Sequence, residues 1–451
     1  MARRIVIIGS GAAGLTAASA ARKKDKNAEI TVITEDEHIA YSPCAIPWVL
    51  EGVSEWKDII MHDPGFYKKE RNITVIVGTK AESVDGTAKK VVAGGKEYIY
   101  DSLVIATGGT VFVPPVPGKD LKNVFVVRTI RDGMAIEKAM KDSKSAVICG
   151  AGVIGLEVAV AMRNMGLKVT VIEMMGQVIP RIADPDMAEL IQKHLENRGI
   201  KFVLNAPVQS VKGTEKVEGV TAAGEDYGCD IVIFATGVRA NLDLPKMLGL
   251  DIGLLGAVAV SPSMQPYVRG RLQKDVFLAG DLIQCQSAPG NGPTMSQLGS
   301  SAVRQGAVAG TNAAGGNETL GPVCSPWISR LGGLEMGGTG LSRSLAEWYG
   351  IRSVEGKARG STRARYHPGG KELIVKISAD ASSHRIIGAQ VLSGEGVNGR
   401  VNWITDMIAR GETVESLLSY AENAYCPPTS MVKDVVLSAA EDLRDKLTKV
   451  I

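Results

Sequence analysis

Short runs of branched apolar residues alternate with small-residue stretches through the first half of the chain. Residues 4–8 read as a buried parallel strand, because a continuous apolar run of this length suits a sheet covered on both faces. The run enters Gly9-Ser10-Gly11-Ala12-Ala13-Gly14, and a small-residue helix is expected over 15–22. A second strand follows at 30–33, with Glu35 just beyond it. The same order recurs later: strand 146–149, Gly150-Ala151-Gly152-Val153-Ile154-Gly155, helix 156–164, strand 167–172, then Glu173. Further strands are expected at the start of 100–108, 230–237 and 276–281, each ending in a glycine turn. A helix over 297–312 and strands at 371–377 and 385–392 are predicted in the last third.

Each glycine run stands between a strand and a helix, with an acid about 20 residues on, the pattern of a dinucleotide-binding turn. Glycine there permits the tight turn and lets backbone approach a pyrophosphate at the helix N-terminus. Glu35 is placed to accept from ribose hydroxyls. Glu173 would do the same in the second unit and repel a 2′-phosphate, so NADH is expected over NADPH. Met174 and Met175 bring no cation to offset it. One chain is thus expected to bind two dinucleotides.

At 451 residues the chain is too long for one core, since domains run to about 100–200 residues. Lys and Arg total 51 and Asp and Glu 48, for a net charge of +3, which argues against nucleic acid or an anionic membrane as partner. The 52 glycines suit many tight turns. Six cysteines (44, 149, 229, 285, 324, 426) lack disulfide or zinc spacing. No metal site is expected, and a reducing, cytoplasmic location is. The start of the chain lacks the form of a signal peptide. No apolar stretch approaches the ~18 residues of a membrane span.

Cys44 is the candidate for chemistry beyond nucleotide binding. It lies in Tyr41-Ser42-Pro43-Cys44-Ala45-Ile46-Pro47-Trp48, between prolines that stiffen the backbone. No second cysteine lies within five residues, so no local redox pair exists. A working Cys44 is a lone thiol facing a cofactor or a substrate sulfur. The alternative is a buried structural cysteine.

The two glycine runs, Ala106-Thr107-Gly108, Gly237 and Gly280-Asp281, in this order, resemble the FAD-dependent pyridine nucleotide–disulfide oxidoreductases. The lone cysteine resembles the branch holding coenzyme A disulfide reductases, NAD-dependent persulfide reductases and NADH oxidases. The resemblance implies an α/β fold: two Rossmann-like dinucleotide-binding domains plus a C-terminal α+β dimerisation domain. An FAD domain is expected in two pieces, 1–113 and 246–325, around an NAD domain at 114–245, with the dimerisation domain at 326–451. It implies Asp281 on the FAD ribityl chain and Glu157 at the nicotinamide carboxamide. Arg304-Gln305-Gly306 also matches the family. The segment Tyr425-Cys426-Pro427-Pro428, with Lys433-Asp434, implies that Tyr425 reaches the partner subunit's redox cysteine in a homodimer. Arg22, Lys23 and Lys24 lie where relatives bind coenzyme A phosphates, although a solvated basic helix end is the other reading. Ser42 and Pro43 flank the substrate sulfur.

Three departures are evident. Ala12 stands where oxidases and peroxidases carry histidine, Pro43 where coenzyme A disulfide reductases have asparagine, and Cys426 where a small residue is usual. The implied activity is NADH-dependent reduction of a small disulfide, persulfide or polysulfide, with coenzyme A as substrate or bound ligand. An NADH oxidase and a reductase of a small electron-transfer protein remain as alternatives.

Overall fold

The computed structural model describes residues 2–449. Residues 4–278 contain two parallel sheets of the same design. In the first, strands order as Thr74–Ile76, Glu29–Ile33, Arg4–Ile8, Ser102–Ile105 and Val276–Leu278. In the second, the order is Ile200–Val203, Lys168–Ile172, Ser145–Cys149, Ile231–Phe234 and Val124–Val126. In both, chain order reverses beside the first strand, so the loops there form a crevice at the carboxyl ends of the strands. Ile5, Ile7, Val147 and Ile148 are almost fully buried, as strands covered on both faces require.

Each unit also carries a three-stranded antiparallel sheet, at Ala81–Ile99 in one and Val208–Gly228 in the other. The sequence reading did not anticipate these. The chain crosses between the units twice, and Gly109–Val111 pairs antiparallel with Val238–Ala240, making one ribbon of the crossings.

The C-terminal region is a five-stranded antiparallel sheet, in which Leu334–Gly340, Ile386–Ser393 and Glu372–Asp380 are central. Helices Val397–Arg410 and Val435–Leu447 cover it, with Val401, Ile404, Ala439 and Leu443 in its core. No helix among the described residues is long and apolar enough to cross a membrane.

Candidate active site

The first glycine loop joins Arg4–Ile8 to helix Ala12–Lys24. Gly9 has φ +105, and a Cβ there would lie 2.2 Å from Ala106 O. A Cβ on Gly14 would lie 1.9 Å from Gly9 O, so the loop closes only with glycine at both positions. Gly11 faces open space, which is where a ligand backbone would lie. Ala12 and Ala13 begin the helix, and the latter has a structural duty. Helix Gly299–Ala313 packs so closely that a Cβ on Gly306 would meet Ala13 O at 2.3 Å. Gln305 in that helix accepts from Gly280 N at 2.8 Å, fixing the turn that presents Asp281.

These features converge on one crevice. Thr107 Oγ1 is buried there with no hydrogen-bond partner. Beside it Gly108, at φ +63, leaves room for Arg128, whose guanidinium would lie 3.1 Å from a Cβ at that position. Arg128 pairs with Asp281 at 2.8 Å across a span of 153 residues. The sequence reading missed Arg128. The signal was present: Thr129 and Asp132 form a capping box, which puts Arg128 in the short turn between strand Val124–Val126 and the next helix, at the carboxyl end of a parallel strand. Glu35 is exposed just past its strand. Its neighbour Asp36 has a carboxyl raised by burial and then by Glu35 and Asp132. An orphaned hydroxyl, an open glycine, an exposed acid and an arginine–aspartate pair fit a dinucleotide with ribose and polyol hydroxyls and a pyrophosphate.

The second loop repeats the geometry. Gly150 has φ +112 and a Cβ there would meet Ala235 O at 2.4 Å, while one on Gly155 would meet Gly150 O at 2.1 Å. Gly152 again faces open space. Val153 and Ile154 open helix Val153–Asn164, with Ile154 exposed. Gly237 has φ +100 at the start of the second crossing. Glu173 is buried, and its two oxygens accept from Ala151 N and Met175 N, both at 2.8 Å. Each oxygen keeps a lone pair for a ribose hydroxyl. Glu157 accepts from Ser329 Oγ of the C-terminal sheet at 2.6 Å. Burial pushes its carboxyl up, and the serine offsets part of this.

Cys44 lies in a 3₁₀ turn, Pro43–Ala45, that runs into helix Ile46–Leu50. Proline suits a first helical turn, so the stiff segment proves to be helical. Ser42, Pro43 and Cys44 are exposed, whereas Ile46 and Leu50 are buried in the core of the second unit. The cysteine therefore bridges the two units. Glu51 accepts from Asn164 at 2.6 Å and Trp56 donates to Glu137 at 2.8 Å, pinning the bridge to second-unit helices. On its other side Tyr41 has a phenol pushed up to about 12 by burial and by Asp36, within the field of Asp132 and Arg128. Tyr41, three residues before Cys44, is thus the part of this segment that feels Arg128.

One expectation on the substrate side is revised. Arg22 is not available to a phosphate. It is buried, and its guanidinium donates to the carbonyls of Ala28, Lys26, Asn72, Arg71 and Asp25. Lys23 and Lys24 remain exposed in the last turn of the helix. Tyr425 lies in the segment between the last two helices, and its hydroxyl meets that of Tyr366 at 2.5 Å. The Tyr366 hydroxyl raises the Tyr425 phenol. Tyr366 escaped the sequence reading because it lies on the distant loop between strands Ser353–Ser361 and Glu372–Asp380. Cys426 is exposed beside this pair, with its N–H held by Ser430 Oγ.

Comparison with known proteins gives a consistent result. Residues 3–306 match the pyridine nucleotide-disulphide oxidoreductase family. The chain is 44% identical over 453 positions to an NADH oxidase of Methanocaldococcus jannaschii, covering 99% of each. It is 31% identical to the NAD(P)H coenzyme A polysulfide/persulfide reductase of Pyrococcus horikoshii, covering 98% of this chain and 99% of the relative. Among solved structures, the NAD-dependent persulfide reductase from A. fulgidus superposes with a TM-score of 0.95 at 30% identity, over 99% of this chain and 84% of that one.

Proposed function

The chain belongs to the pyridine nucleotide-disulphide oxidoreductase family, and from that premise we propose that it is an FAD-dependent, NADH-consuming reductase of small disulfides and persulfides. Coenzyme A disulfide, coenzyme A persulfide and polysulfide are the leading substrates, as the names of the Pyrococcus and A. fulgidus relatives suggest. The observation that carries this reading is Cys44: a lone, exposed thiol on the turn that joins both nucleotide units.

FAD is held by Gly9, Gly11, Gly14, Glu35, Thr107 and Asp281, with Arg128 added. NADH is held by Gly150, Gly152, Gly155, Glu157 and Glu173. When bound there, FAD would supply hydride acceptance from NADH and two-electron reduction of sulfur. The chain's own chemistry begins with the Cys44 thiolate, the nucleophile in thiol–disulfide exchange. It attacks one sulfur of the substrate, the sulfur–sulfur bond breaks, and a mixed disulfide forms as the other sulfur leaves as thiolate. Tyr425 of the partner subunit protonates that leaving sulfur. Tyr366, whose hydroxyl meets that of Tyr425 at 2.5 Å, can replace the proton. Two electrons then split the mixed disulfide and restore Cys44. Lys23 and Lys24 attract the coenzyme A phosphates. A homodimer sharing its active sites, located in the cytoplasm, completes the reading.

The test is anaerobic NADH turnover against coenzyme A disulfide, coenzyme A persulfide, glutathione persulfide and polysulfide. Loss of all four with rapid aerobic NADH consumption would favour the second reading, an oxidase. The 44% identity to an NADH oxidase supports that second reading.

A further inference from the structure

The loop that follows Glu173 carries two residues in the left-handed region, Ile179 at φ +47 and Arg181 at φ +72. A β-branched residue there is a genuine outlier and persists only when its surroundings hold it. Ile179 is also fully buried. Its N–H donates to Ala151 O at 2.8 Å, while Ala151 N donates to Glu173 at 2.8 Å. The strained turn and the ribose acid thus grip the same residue of the second glycine loop.

Further bonds to the turn come from the C-terminal region. Ser342 Oγ donates to Arg181 O. Asp184 N donates to Gln390 Oε1 at 2.9 Å, and Arg343 N donates to Asp184 Oδ1 at 2.9 Å. Lys376 Nζ meets Asp184 at 2.7 Å, Asp186 at 2.9 Å and Glu355 at 2.8 Å, with its side chain only 5% exposed. Lys357 meets Asp186 at 2.6 Å. In register, Lys357 lies opposite Lys376, and Lys376 lies opposite Gln390. They form one polar row across three strands, the latter two of which are almost wholly buried. Two lysines face to face repel, and a buried polar row costs stability unless every member is satisfied. Here the row is satisfied by Asp184, Asp186 and Glu355, and two of these three lie just past the strained turn.

We propose that the row Lys357–Lys376–Gln390 is a positioning device for NADH. By holding Asp184 and Asp186 it keeps Ile179 and Arg181 left-handed, and through them fixes the second glycine loop and Glu173. The inference rests on the reading that this loop takes NADH. The row grips the segment just past the turn that bonds Ala151.

The experiment is rapid-mixing reduction of the FAD-loaded enzyme by NADH, for Gln390→Ala, Ser342→Ala and Lys376→Met. The expected result is an apparent Kd for NADH weaker by about tenfold, with the limiting rate of flavin reduction within about twofold of wild type. Reoxidation of the pre-reduced enzyme by disulfide stays unchanged. Should Lys376→Met fail to fold, the two neutral variants carry the test. A double-mutant cycle supplies a readout that general loosening would not move: the Gln390→Ala loss shrinks in an Arg181→Gly background, where left-handed backbone needs no clamp. Unchanged affinity in the neutral variants, or a loss equal in both backgrounds, overturns the proposal. Glu173→Gln separates the two readings. If it weakens NADH while the row variants do not, only the positioning role falls. If none of these changes affinity, NADH does not bind at this loop and both fall.

Discussion

The two nucleotide units share strand order and loop geometry yet complete their binding sites differently. Gly9 and Gly150 adopt nearly the same φ, +105 and +112, and both loops leave their middle glycine open. In the first unit the loop is tied to the neighbouring strand by a neutral pair, Ser10 Oγ to Thr34 Oγ1 at 3.0 Å. Its acid Glu35 is exposed, and Thr107 Oγ1 is buried without a partner. In the second unit the tie is the acid at the strand end, Glu173, with both oxygens engaged by backbone N–H groups and the following segment bonded to the C-terminal sheet. A buried orphan hydroxyl costs about 1–3 kcal/mol, so the first site gains most when its ligand stays. In the second, the acid already has protein partners on both oxygens. That is the division expected between a resident flavin and an exchanging nicotinamide.

The sharpest way to break this comparison is at the segment joining the units. Cys44→Ser is expected to keep FAD and to accept hydride from NADH in one turnover. Disulfide and persulfide reduction should fall by about 10³-fold or more, since only a thiolate forms the mixed disulfide. Retained sulfur turnover would remove Cys44 from the reaction. Next in size, Arg128→Ala removes the partner of Asp281 at 2.8 Å. FAD should be lost on gel filtration, with retention falling about 10- to 100-fold, whereas NADH affinity of the flavin-loaded fraction holds. Equal loss of both ligands would show that the two sites are not completed independently. Then Glu173→Ala is expected to shift the NADPH to NADH ratio of kcat/KM toward NADPH by about tenfold, because a carboxylate facing a 2′-phosphate without a cation is costly. FAD content should not move. An unchanged ratio would mean that Glu173 only ties the loop.

Where the backbone demands one residue type, the fold could be read in the sequence. Gly9, Gly14, Gly150 and Gly155 each sit where a Cβ would strike a carbonyl at 2.4 Å or less, so glycine spacing reported the loops directly. Buried parallel strands were equally plain, since both faces must be apolar. What stayed hidden depends on distant partners. Arg22 ends a basic run and looked available to a phosphate, but the carbonyls that occupy it include Arg71 and Asn72, some 50 residues on. Arg128 gains meaning from Asp281, Tyr366 from Tyr425, and Lys376 from Asp184, and no local pattern announces those meetings. Lys376 did leave a trace, as a charge in the middle of an apolar strand.

The smallest expected effect concerns Glu157, where the two halves of the comparison meet the C-terminal sheet. Its carboxyl is half-buried against Ser329, and burial raises it above its ordinary value of 4.5. A carboxyl whose folded value is raised contributes stability below its unfolded value and loses that contribution as pH rises through the folded value. Ionising Glu157 therefore carries a cost in the folded chain. Glu157→Gln keeps an acceptor for Ser329 and removes the charge. The variant should match wild type in thermal stability at about pH 4 and exceed it by about 2 °C near neutrality. The gain should open upward from pH 4.5, not downward. In the same variant KM for NADH should rise while FAD content stays fixed, the pattern of a site that trades stability for a charged contact. If Tm rises equally at every pH, the carboxyl is not strained by burial. If KM for NADH is unchanged as well, Glu157 serves only to bind Ser329, and the second unit touches its nicotinamide through other residues.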